Sequence, residues 1–227
     1  MIMLILPWRG MGNKGRGPCL VGPGPMLYND PLMEVSHPLG RPRTLPIVVE
    51  QIVPSRVCFT CDVCCRFPER DSSLRPYFTR DEIQAAIARG ISPDAFPDHA
   101  GAKVAVVSHG EGYRCPAFQP ETGRCGIHED RPLDCRLYPV AVMWDSGHAE
   151  VVMGWDSKCP FIRDNLESVE SQAYVERTAA LLESEATVRI FLANTQLVGV
   201  FQDDVIVLRR LNRLTRALRV ASQRASQ

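Results

Sequence analysis

Between Pro46 and the C-terminus, apolar positions come in short runs whose period changes along the chain, and each change predicts an element. In Thr79-Arg80-Asp81-Glu82 a threonine stands three residues ahead of a glutamate. Ile83, Ala86 and Ile87 then share one helical face, and Gly90 stands where a glycine ends a helix. The spacing predicts a helix that opens with a capping box at Thr79 and stops before Gly90. Val104 to Ser108 and Tyr113 to Phe118 read as short strands around His109-Gly110-Glu111-Gly112. Val140 to Trp144 and Glu150 to Trp155 flank the turn residues Asp145-Ser146-Gly147-His148 and predict a hairpin. Further on, the pattern turns helical over roughly Asn165 to Glu185. A last amphipathic stretch places Leu208, Leu211, Leu214 and Leu218 three or four residues apart. The expected class is α+β, with short antiparallel strands, a hairpin and flanking helices.

No such period holds in residues 1–46. Eight prolines and seven glycines make up about a third of that segment, a composition that predicts a disordered tail. Met11, Met26 and Met33 each offer an alternative start within it. The run Met1 to Leu6 is cut by Pro7 before it could form a signal-peptide core or a membrane span. A cytoplasmic protein is the expectation. Lysine plus arginine and aspartate plus glutamate are 26 each, so no net field draws the chain to nucleic acid or an anionic membrane. One local exception is the stretch after Val205, with Arg209, Arg210, Arg213, Arg216, Arg219 and Arg224 and no acid. It reads as a solvated helix face, or as a patch for RNA, anionic lipid or an acidic partner. Nucleic acid is not expected, since aromatic residues for stacking are missing there.

Chemistry concentrates in the cysteines. Of nine, Cys19 lies in the tail, and eight fall between Cys58 and Cys159. Bunched cysteines without an export signal are metal ligands or redox groups more often than disulfides. Cys58-Phe-Thr-Cys61-Asp-Val-Cys64-Cys65 is a C-x-x-C-x-x-C-C run. Two intervening residues let a tight turn aim both sulfurs at one ion while backbone amides donate to sulfur. Adjacent side chains diverge, so one of Cys64 and Cys65 is expected to serve a second site or a bridge. The remaining candidates are Cys115, Cys125, Cys135 and Cys159. Eight ligands suit two four-ligand sites, or one cluster and one single ion. A C-x-x-C-x-x-C run with a distant Cys-Pro, a role open to Cys115 or Cys159, tips the balance from zinc toward iron–sulfur. Arg66, Arg114, Arg124, Arg131 and Arg136 lie close to cysteines in sequence. Arg131 and Arg136 are expected to neutralise and orient the thiolates. No dinucleotide loop, P-loop, nucleophile elbow or H-E-x-x-H motif is present, so no catalytic residue is assigned. The division expected is a tail over 1–46, a metal-stapled cysteine domain over 47–163 and a helical extension over 164–227.

The segment from Cys125 through His128, Arg131-Pro132 and Cys135-Arg136 to Tyr138-Pro139, read with the upstream C-x-x-C-x-x-C-C run, resembles the YkgJ-type CxxCxxCC cysteine-cluster family of zinc- or iron-chelating domains. The resemblance runs from about Cys58 to Cys159 and implies that the matching cysteines are ligands. Flagellin lysine methylases carry a similar cluster, which implies an alternative reading as a redox or group-transfer enzyme. Asp62 stands where the family often has glycine, and His128 where it usually has tyrosine. The second departure makes His128 a possible ligand, against the plainer reading of a packed or solvent-facing histidine.

Overall fold

The computed structural model describes residues 47–225; the expected tail and Cys19 lie outside the described residues. Helices and short antiparallel sheets alternate along the chain, an α+β architecture. A single helical turn, α1 (Ser55–Cys58), and a 3-10 turn (Val63–Cys65) lead into β1 (Arg66–Phe67). Next come β2 (Tyr77–Thr79), α2 (Arg80–Ala88) and β3 (Gly101–Lys103), with β2 and β3 paired antiparallel. Strands β4 (Val107–His109) and β5 (Gly112–Arg114) join β1 in a three-stranded sheet of order β1-β5-β4. A tight hairpin of β6 (Phe118–Gln119) and β7 (Arg124–Cys125) follows, then α3 (Leu133–Leu137).

The larger sheet is built by β8 (Val140–Trp144) and β9 (Val151–Asp156). Asp145 closes their turn, since its Oδ1 accepts from the amides of Ala149 and Glu150 at 2.6 and 3.1 Å. Helices α4 (Pro160–Asn165), α5 (Val169–Leu182) and α6 (Glu185–Ala193) come next. The helical stretch expected over roughly 165–185 is α5, bounded by Ser168 and Ser184, each of which accepts an amide hydrogen three residues on and starts a new helix. After them β10 (Val205–Arg210) adds to the outer edge of β9, and α7 (Asn212–Ala225) packs back. Leu208 therefore lies in a strand, although its spacing to Leu211 suggested a helix. The β-branched run Val205-Ile206-Val207 and the free edge of β9 decide the matter. The pairing is close enough to require Gly154, where a Cβ would come within 2.4 Å of the Ile206 carbonyl oxygen.

Two main apolar clusters result. The larger joins the β8–β9 hairpin to α3–α7 and includes Cys159, with Trp155 stacked on Tyr174 at 5.7 Å. The smaller surrounds α2, β2 and β3, includes Cys115, and has Cys65 and Cys125 packed against it. Glu82 ties these parts together. Its Oε2 accepts from the Thr79 amide at 2.9 Å, completing the capping box, while Oε1 accepts from the Leu133 amide at 2.6 Å at the start of α3. One carboxylate thus caps two helices. Glu82→Ala is expected to cost about 2–3 kcal/mol, because partly buried donors at both ends lose a charged acceptor. A lower urea midpoint at unchanged slope checks this; an unmoved midpoint contradicts it. No helix among the described residues is long and apolar enough to cross a membrane.

Candidate metal centre

The C-x-x-C-x-x-C-C run is wound as two consecutive tight turns. The amide of Cys61 donates to the Cys58 carbonyl at 3.1 Å, and that of Cys65 to the Asp62 carbonyl at 2.9 Å. Three-residue steps keep Cys58, Cys61 and Cys64 toward one side. Cys65 begins the lead into β1, and its carbonyl accepts from the amide of Cys115 at 2.9 Å, so the β1–β5 pairing sets these two cysteines side by side. Cys125 ends β7, opposite Phe118. Cys135 lies in α3, and Cys159 is the N-cap of α4 with Pro160 at its first position.

These five segments bring all eight cysteines to the wall of one cavity, with Phe59, His128, Arg131, Asp134 and Tyr138 among their neighbours. All eight are free thiols. Cys64 and Cys65 hold their sulfurs 4.0 Å apart. Among the described residues no three cysteine, histidine or acidic side chains stand at the spacing of a coordination sphere.

Burial pushes the thiols of Cys58, Cys61, Cys125, Cys135 and Cys159 up from the ordinary value, Cys135 most strongly among them. Cys115 is pushed up to about 12, again chiefly by burial. Cys64 is an exposed residue, yet its sulfur faces the cavity; the thiol is raised first by its hydrogen bond with Cys65 and then by burial. Opposing these effects, backbone amides two or three residues on act on four of the sulfurs: Val63 on Cys61, Ala117 and Phe118 on Cys115, Ile127 on Cys125, and Ile162 and Phe161 on Cys159. Such amides are of little use to a neutral thiol and stabilise a thiolate.

The charges fall into two neighbourhoods. Cys159 feels Cys61 and Cys58, and Cys58 feels Cys64 and Cys61. Cys135 feels Cys115, Cys64 and Cys125. Cys64 belongs to both.

Arg131 lowers the thiols of Cys58, Cys64 and Cys125 by its charge. Its Nη2 donates to Gln51 Oε1 at 2.8 Å, and Gln51 Nε2 donates to the Cys58 sulfur at 3.4 Å. Arg136 points elsewhere, donating to the Ile47 carbonyl at 2.8 Å and lying 3.5 Å from Glu82 Oε1. Arg66 pairs with Asp62 at 2.5 Å, and Arg124 lies over the Phe59 ring at 5.0 Å. Arg114 has two buried guanidinium nitrogens without a hydrogen-bond partner. In the arginine-rich C-terminal stretch, Arg209 and Arg210 belong to β10 and pair with Glu176 and Glu150.

Three groups at this site were given no role on sequence grounds: Gln51, Asp134 and Tyr138. Burial raises the Asp134 carboxyl to about 6 although the Tyr77 amide donates to it at 2.8 Å. The Tyr138 hydroxyl is buried without a partner, and burial together with Asp156 and Cys159 raises its phenol. The adjacency of Asp134 to Cys135 was a usable signal; Gln51, seven residues before Cys58, left none.

Residues 57–160 match the CxxCxxCC family, described as "Putative zinc- or iron-chelating domain". Comparison of the chain with curated proteins and with solved structures finds no match. The matched residues, a little under half of the chain, hold all eight clustered cysteines, so the likeness to this family rests on the same segment that lines the cavity.

Proposed function

We propose that the chain holds metal in two neighbouring four-thiolate sets, with an iron–sulfur cluster favoured over zinc in the first and a structural or cluster-holding role for the whole. The single observation that carries this is the convergence of eight free cysteines on one cavity. Cys58, Cys61, Cys64 and Cys159 form the first set. It joins a C-x-x-C-x-x-C turn to a distant cysteine followed by proline, and Cys159 feels the charges of Cys58 and Cys61. Cys65, Cys115, Cys125 and Cys135 form the second, gathered beside the smaller apolar cluster. A bound cluster would supply a reversible one-electron couple. The protein's part is to strip water from the thiols, donate amides to their sulfurs and offset their charge with Arg131. Arg136 acts at one remove, by fixing Glu82 and the start of the helix that carries Cys135. Free thiols in this number suit the reducing cytoplasm. In the C-terminal stretch, α7 offers Arg213, Arg216 and Arg219 to an acidic protein partner.

Anaerobic purification with an optical spectrum and analysis of iron, zinc and sulfide tests the reading. A brown protein with iron and sulfide is expected, and Cys159→Ser is expected to bleach it. A colourless protein carrying zinc would redirect the choice of metal, and a metal-free protein would end the proposal.

A further inference from the structure

Sulfur is not the only donor around the cavity. His128 opens a 3-10 turn (His128–Asp130), and its side chain is 11 % exposed. The ring meets Phe59 edge to face at 4.7 Å and lines the same cavity as the eight cysteines. Its Nδ1 lies 3.1 Å from Glu129 Oε1. An ionised carboxylate can only accept, so Nδ1 carries the hydrogen and donates it. In the neutral ring this leaves the lone pair on Nε2. That nitrogen is buried and has no hydrogen-bond partner.

An apolar filler for this position would be phenylalanine, which packs against Phe59 without stranding a polar atom. A carboxylate on one ring nitrogen with the other left free is the arrangement that orients a metal-binding histidine. The local chain agrees: Cys125-Gly126-Ile127-His128 is C-x-x-H, the two-residue spacing that lets one tight turn present two ligands. The amide of Ile127, between them, already aims at the Cys125 sulfur.

From these observations we infer that His128 is a metal ligand through Nε2, giving the ion on the Cys125 side of the cavity a mixed sulfur and nitrogen shell. The inference rests on the reading of the cavity as a metal centre. A neutral imidazole in place of one thiolate of the second set, which then binds through three sulfurs and one nitrogen, leaves the bound centre one unit less negative. This suits a cavity in which one arginine, Arg131, acts on three of the thiols.

X-ray absorption of the full-length protein, purified anaerobically and measured at the edge of the metal it carries, provides the test. If that metal is zinc, the wild type is expected to show a nitrogen neighbour at about 2.0–2.1 Å beside sulfurs at about 2.3 Å, with the outer-shell scattering of an imidazole ring. If it is iron, histidine labelled with ¹⁵N is expected to give a hyperfine coupling in pulsed magnetic resonance of the paramagnetic state. His128→Phe keeps the contact with Phe59 and is expected to abolish either signal and weaken metal retention at least tenfold. A sulfur-only shell in the wild type, with metal content intact, would overturn the assignment of His128 while leaving the proposed function standing. A metal-free wild type would overturn both. Should His128→Phe fail to fold, the wild-type spectrum alone decides.

Discussion

Removing metal with a chelator under reducing conditions is expected to unlock the half of the domain between Cys58 and Cys125 while the β8–β9–β10 sheet and α5–α7 stay folded. The strands of the first half are two or three residues long, and sheets of that size do not hold themselves. Their apolar cluster is also thin, since four of its twelve buried residues are alanine. The other half has strands of five or six residues and a core containing Trp155, Tyr174, Phe191, Leu211 and Leu214. A structural zinc site contributes about 10–16 kcal/mol, as much as the whole stability of an ordinary domain at about 5–15 kcal/mol. Losing such a contribution exceeds what the thin half can replace. Hydrogen exchange with and without chelator checks the expectation. Amides of Val63–Cys65, β1 and β4–β7 should lose protection by several orders of magnitude, and those of β9 and α5 should keep it. Unchanged exchange throughout would mean the metal holds nothing together; equal loss everywhere would mean the halves unfold as one.

How far the sequence showed this depended on whether an element is decided locally. The capping box at Thr79 and Glu82 and the hairpin around Asp145 are set by neighbours within six residues, and both form as the spacing predicts. The strand nature of Leu208 was hidden because Leu208, Leu211, Leu214 and Leu218 fit a helical period on their own. Only pairing with β9, some fifty residues back, draws Val205–Arg210 into a sheet. The cysteines were legible as a group because thiols at these spacings have few other uses. The division proposed for them was not, since it rests on β1 pairing with β5 and on the charges of Cys58 and Cys61 acting on Cys159 at the start of α4.

The arginines show the same limit at the level of one residue. Arg131 and Arg136 both stand close to Cys135 in sequence. In a helix, successive side chains point about 100° apart, so with Cys135 facing the cavity Arg136 is carried round to Ile47 and Glu82. Arg131 precedes the helix and reaches the thiols through Gln51. Glu82 likewise had a visible local role as a capping residue, whereas its second role at Leu133 appears only once α2 and α3 meet.

Acidification is expected to empty the centre within a narrow pH range. Seven of the eight thiols lie above the ordinary value of 9.0, so at neutral pH each one that becomes a ligand must release a proton. Each released proton changes the apparent affinity about tenfold per pH unit, and a four-thiolate site therefore changes by about 10⁴-fold per unit. The two forms of the protein respond to pH in opposite senses. With metal bound, the native thiolates carry no protons while the unfolded chain's thiols are protonated below about 9; stability then rises with pH and is lost on acidification. Without metal, the native thiols hold protons above 9.0 that the unfolded chain has given up, so stability falls as pH rises from there toward about 12, the value for Cys115. Metal retention against a coloured chelator between pH 8 and 5, with denaturant midpoints for both forms, measures the two slopes. Retention that declines by only about one decade per pH unit would mean that a single thiol titrates on binding, and the picture of several buried thiolates formed together on each ion would then be lost.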